Sequence, residues 1–175
     1  MGPEYAHDAH MNQPVASLSP LTDLTWRAAR LHELAPLELA RIYRARQEVF
    51  VVEQDCVYLD ADEADEHSLH LAAWSPRHGV PLAYARLVDP GVKYAEPSMG
   101  RVITTAPARG TGLGRELVRR VIALAAEHHP GQGLRISAQA HLRRFYGAFG
   151  FEALGEEYLE DGIPHVEMLR PAQRQ

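Results

Sequence analysis

Apolar positions recur along this chain with two different periods, and the switches between them mark out its elements. LTWRAARL, Leu24 to Leu31, is compatible with an opening strand, and Pro36 then stands where the first turn of a helix tolerates proline. Leu39, Ile42, Tyr43, Arg46, Val49 and Phe50 follow at three- and four-residue steps, which predicts a helix that buries one face. DADEADE, Asp60 to Glu66, reads as a loop or a solvated helical turn. HLAAW (His70 to Trp74), a turn built on SPRHG, and PLAYARLV (Pro81 to Val88) predict a β-hairpin, and MGRVITT, Met99 to Thr105, a further strand. Leu113, Leu117, Val118, Val121, Ile122 and Ala125 then share one face of a helix whose other face carries Glu116, Arg119 and Arg120. LRISAQA predicts a strand, HLRRFYGAF a short helix capped by Gly150, and FEALGEEYLEDGIPHVEML two strands joined by an Asp161-Gly162 turn. The order is strand, helix, three strands, helix, strand, helix, two strands, an α+β arrangement without internal repeat or linker.

A length of 175 residues suits one domain with its own core, placed at residues 23–170. Residues 1–22 mix His, Pro, Ser and Asn without periodicity and read as a disordered leader, with Met11 as an alternative initiator; they lack the apolar centre of a signal peptide. Residues 171–175 read as a tail. The single cysteine, Cys56, excludes an intramolecular disulfide, and no stretch nears the roughly 18 apolar residues of a membrane helix. A cytoplasmic protein without membrane contact is expected. Net charge is −5 and no Lys/Arg cluster lies outside the second long helix, which argues against a nucleic-acid partner and for small, even cationic ones. Oligomeric state is open, a homodimer included.

Three glycines, Gly110, Gly112 and Gly114, alternate ahead of that helix. A nucleoside-triphosphatase loop would need Lys and Ser or Thr where Arg115 and Glu116 stand, and the dinucleotide fingerprint would need wider spacing inside a parallel unit. What fits is a loop, Arg109 to Gly114, that lets an anion such as a pyrophosphate approach the free N–H groups of a helix start. A tight strand-to-helix connection without ligand is the plainer alternative.

Arg109-Gly110-Thr111-Gly112-Leu113-Gly114, after GRVITT and before an amphipathic helix, resembles the Arg/Gln-x-x-Gly-x-Gly/Ala loop of the GNAT superfamily of acyl-CoA-dependent N-acetyltransferases. The blocks Arg46 to Leu71, Ala138 to Phe151 and Glu160 to Met168 are similar to its ElaA-like branch. The resemblance implies a GNAT fold: a central mixed, mostly antiparallel sheet of about six to seven strands with helices on both faces. It also implies acetyl-CoA as acyl donor, its pyrophosphate on the amides of Arg109 to Arg115 and its pantetheine along Val102, Ile103 and Thr104. Many GNAT members carry an Asn after the fifth strand, where this chain reads Gln139-Ala140-His141.

Acetyl transfer to an amine meets a protonation problem, since an ammonium of pKa about 10.4 is neutral in only about one molecule in two thousand at pH 7. By the resemblance Tyr146 stands beside the thioester sulfur as hydrogen-bond donor; by periodicity alone it shares an apolar stripe with Leu142, Phe145 and Phe149, a core position. Candidate bases are Glu53, His70, His165 and the acidic tract, which otherwise forms a solvated face or draws in a cationic amine. His67 and His70 are three apart near carboxylates, but no third zinc ligand is specified, and no metal is assigned. No positive charge adjoins Cys56 in the sequence to activate it as a nucleophile, so direct attack is preferred to an acyl-cysteine. The reading is an acetyltransferase acting on a small-molecule or peptide amine. Its alternatives are a non-catalytic coenzyme A sensor or scaffold and an acyl-homoserine lactone synthase, which shares the early Arg, Phe and acidic block.

Overall fold

The computed structural model describes residues 23–172, so the leader and most of the tail expected from the sequence lie outside the described residues. Seven strands form one sheet: β1 (Thr25–Arg30), β2 (Ser68–Trp74), β3 (Ala83–Val88), β4 (Ser98–Thr104), β5 (Leu134–Gln139), β6 (Glu152–Glu160) and β7 (Ile163–Arg170), in the spatial order β1-β2-β3-β4-β5-β7-β6. Every neighbouring pair is antiparallel except β4 and β5, which run parallel. A parallel pair needs a long crossover, supplied here by α2 (Leu113–His128).

The two helical periodicities bury their apolar stripes on opposite faces of this sheet. Ile42 and Ala45 of α1 (Pro36–Arg46), with Val49, pack on Ala72, Tyr84 and Ile103. Leu113, Leu117, Val118, Val121 and Ala125 of α2 pack against Leu71, Ala73, Ala83, Ala85 and Leu87. Adjacent strand residues point to opposite sides, so β2 and β3 are covered on both, which is why HLAAW and LAYARLV are apolar almost throughout. The mixed sheet with helices on both faces agrees with the sequence expectation.

Two details differ from it. The chain continues beyond α1 in wider turns over Gln47–Glu53, where the Gln54 N–H reaches back five residues to Val49 O. The last helix is shorter, a tight turn at Ala140–Leu142 followed by α3 (Arg143–Gly147), since Gly147 and Gly150 disfavour further helix and Gly150 (φ 84°) closes the turn. Asp161 (φ 49°) and Gly162 (φ 77°) make the β6–β7 turn with both central residues left-handed, matching the twist of the flanking strands.

Candidate active site

The site opens where the sheet comes apart. β4 and β5 pair only at Ser98 and Arg135, near their first residues, and diverge beyond that point. A bulge lies at the divergence: Arg101 and Val102 together oppose Ala85, and Arg101 adopts φ 54°, uncommon for a residue with a side chain. Bulges bend a strand, and this one turns β4 away from β5. The wedge is a cavity of ≈ 310 Å³ walled by Met99 to Val102 on one side and Ile136 to Gln139 on the other. Of the three residues expected along the donor's arm, Val102 lines the cavity, Ile103 is buried under α1, and Thr104 contacts the glycine loop.

At the splayed end β4 runs into that loop. Gly110 (φ 74°) and Gly112 (φ 87°) are left-handed, which is what glycine is needed for there; Gly114 is ordinary backbone lying against the Thr104 methyl. The amides of Gly110, Thr111, Gly112 and Gly114 meet no acceptor among the described residues, whereas those of Arg115 and Glu116 bond Gly112 O. Thr111 steadies the turn, its hydroxyl donating to Ala108 O at 2.6 Å. Leu113 is buried and anchors the start of α2, so four unused N–H groups sit at the positive end of a 16-residue helix. Arg109 donates to Thr104 O at 3.1 Å and to Glu53 at 2.5 Å, and Arg115 stacks on Phe145 and Phe149.

Tyr146 and His165 both line the cavity. Tyr146 is buried edge-on against Phe145 and Phe151, and its hydroxyl takes no hydrogen-bond partner among the described residues. Burial pushes its phenol well above the usual tyrosine range, so it keeps its proton and has an O–H to donate. The His165 ring bonds Ile163 O at 2.8 Å through Nδ1. A carbonyl only accepts, so Nδ1 carries the hydrogen and Nε2 of the neutral ring keeps a free lone pair. At the end of β5 the Gln139 amide donates to Gln54 Oε1 at 3.2 Å, and both residues line the cavity. Glu53 is exposed, tied to Arg109, and does not line it.

The acidic tract is a solvated face only at Glu63 and Glu66; its three aspartates are taken up by the protein. Asp60 and Asp65 are buried, and Arg46, itself wholly buried, bonds both, at 2.7 and 2.8 Å. Arg86 bonds Asp62 and Asp65, and Arg101 bonds Asp60 and Asp62. Buried charge is tolerated only when paired, so three arginines distant in sequence engage Asp60, Asp62 and Asp65. His70 is also buried. Its Nε2–H donates to Asp65 O at 2.9 Å, its Nδ1 accepts from the Tyr84 hydroxyl at 2.7 Å, and burial lowers its pKa and holds it neutral. It is a structural member of the network and not a base.

Burial alone would raise the Asp65 carboxyl, but hydrogen bonds from Arg46 and Arg86 outweigh it and hold it below the usual range. A lowered carboxylate pKa contributes stability above the unfolded value, lost as pH falls through the folded one. Asp65→Asn is therefore expected to lower unfolding free energy by about 3–5 kcal/mol at pH 7. The deficit should shrink toward pH 3, a trend that urea titrations across pH measure.

Comparison with known proteins follows this geometry. Residues 43–170 match the family model described as "Acetyltransferase (GNAT) domain". The chain belongs to the GNAT acetyltransferase family. A UPF0039 protein of Synechocystis is 42% identical over 147 residues, covering 84% of this chain and 95% of that one. The crystal structure of an acyl-CoA N-acyltransferase from Pseudomonas aeruginosa aligns with TM-score 0.80 at 41% identity, covering 85% of this chain and 99% of the other. Escherichia coli ElaA aligns with TM-score 0.78 at 34% identity, over 85% and 99%.

In this GNAT chain the sequence-predicted residues divide. Val102, Tyr146 and His165 meet in the cavity, the loop from Arg109 to Arg115 stands at the splayed end of β4, and Glu53 braces Arg109 from outside. Sequence reasoning passed over Arg86, Lys93 and Arg101, which line the same cavity. The signal for Arg86 was present: an arginine inside an otherwise apolar strand must find buried carboxylates, and DADEADE was the available source. No helix among the described residues is long and apolar enough to cross a membrane, and no three metal-ligating side chains among them converge.

Proposed function

We propose that this GNAT protein transfers an acetyl group from acetyl-CoA to a primary amine by direct attack in a ternary complex, in the cytoplasm. The observation that carries the reading is the row of unused amides at Gly110, Thr111, Gly112 and Gly114, standing at the open end of a cavity that contains Tyr146 and His165. Those amides, with Arg109 and Arg115 nearby, fit a pyrophosphate, and the unpaired backbone of β4 beyond Ser98 fits the amides of a pantetheine arm. The thioester then lies in the wedge.

The amine nitrogen bonds to the carbonyl carbon, the carbon–sulfur bond breaks, and the amine's surplus proton must leave. His165 Nε2 takes that proton. Tyr146 donates a hydrogen bond to the departing thiolate, which returns to thiol with a proton from solvent. Glu53 has no part in proton transfer here: it is a positioning residue that holds Arg109 at the loop.

Free thiol released from acetyl-CoA in the presence of polyamines, amino acids and peptides tests the reading. Tight acetyl-CoA binding without release above background across that panel would favour a non-catalytic binding module. His165→Ala is expected to lower kcat by about 100-fold at pH 7. The loss should narrow as pH rises and the amine deprotonates unaided, which a pH–rate profile measures.

A further inference from the structure

Beyond the donor's wedge, toward the closed end of the seam, the cavity has two walls of opposite charge. Arg86, Lys93 and Arg101 line it from β3, the β3–β4 loop and β4, with Asp62 among them, while Glu160 and Asp161 line it from the β6–β7 turn. We propose that the first wall binds a carboxylate, so that the acceptor is an amino acid, its amine and carboxylate on one small molecule. This inference rests on the acetyl-transfer reading above and names the class of its acceptor.

The charges on the cationic wall do not cancel. Asp60, Asp62 and Asp65 are each bonded by two of the three guanidiniums of Arg46, Arg86 and Arg101, three negative charges against three positive. Lys93 is the surplus. No carboxylate among the described residues lies within ion-pair distance of it, and it is the chain's only lysine. Lys93 is exposed at the rim of the cavity, so its ammonium carries a positive charge that no ion pair among the described residues offsets, beside a space sized for a small molecule. A carboxylate supplies that partner.

The opposite wall suits an ammonium. Glu160 accepts from the Ser137 hydroxyl at 3.0 Å and forms no ion pair among the described residues, and His165 faces Tyr158 two residues before it in the β6–β7 register. A zwitterion aligned across these walls brings its amine to the side where His165 stands. A polyamine would set a second ammonium against Lys93 instead. Partial desolvation at the rim, with the charges of Arg86 and Arg101, already holds the Lys93 ammonium below the ordinary lysine range, against the opposing pull of Asp62 and Glu160. An arriving carboxylate would raise it.

The test compares the L-amino acids with their α-carboxamides as acceptors for acetyl-CoA, using the full chain. The amide keeps the amine and removes the charge. Amino acids are expected to exceed their amides in kcat/KM by about tenfold or more, and Lys93→Met to bring that ratio close to one while Lys93→Arg restores it. Equal use of acids and amides by the unaltered protein, with normal turnover, would overturn the proposal and leave acetyl transfer standing. A second measurement does not depend on turnover. Carbon-13 labelling of lysine yields one side-chain resonance, whose pH midpoint should move upward with an amino acid and stay fixed with its amide. A midpoint indifferent to every amino acid would sink the carboxylate pocket, whereas a shift in a protein that releases no thiol would support the pocket and count against acetyl transfer.

Discussion

Gly112→Glu is expected to abolish acetyl-CoA binding without unfolding the protein. Two effects act in the same direction. Gly112 sits at φ 87° immediately before α2, where a side chain costs about 1–2 kcal/mol, so the turn must shift and its amides lose their common aim. The carboxylate is also delivered to the one place where unused N–H groups and the helix dipole favour an anion, and it would compete there with a diphosphate. Space is not the obstacle, because a Cβ at this position meets nothing within 4 Å. Isothermal titration should show no heat, while the far-ultraviolet spectrum and melting profile stay close to those of the unaltered protein. Gly112→Ala carries the strain without the charge and should retain weakened binding. Heat of ordinary size from the Glu variant would mean that the loop is only a tight connection.

Tyr146→Phe is the second large effect, an expected fall in kcat of about 10- to 1000-fold with acetyl-CoA affinity unchanged. The substitution keeps the ring in its edge-on contacts with Phe145, at 5.1 Å between centroids, and Phe151, at 5.9 Å, so packing survives and only the hydroxyl is lost. Because burial drives this phenol upward, no tyrosine ionisation should enter the kcat profile of the unaltered enzyme up to about pH 10, and the role is hydrogen-bond donation rather than proton supply. Full turnover in the Phe variant, measured by thiol release, would return Tyr146 to the core and nothing more.

The fold was legible because its signals are local. Period-two and period-3.6 patterns separate strands from helices, and Gly150 and Asp161-Gly162 mark stops and turns that follow from backbone sterics at single residues. The glycine loop was legible for the same reason. The charged interior was not, since Arg46 meets Asp60 across 14 residues and Arg101 meets it across 41, and no periodicity links such partners. The acidic tract accordingly looked solvated when read by itself. His70 reads as a candidate base in the sequence because a sequence shows a titratable group but not that both its nitrogens are occupied. Lys93 drew no attention because a lone lysine between Val92 and Tyr94 is unremarkable until the loop is folded over the cavity.

The single pairing between β4 and β5 has a mechanical consequence. The sheet is two panels joined at Ser98 and Arg135, with α2 crossing from one to the other, and the backbone groups facing each other across the gap have no ladder between them. A bound arm that bridges the gap would act as a rivet, so slowing of amide exchange along both facing strands should accompany occupancy even far from the glycines.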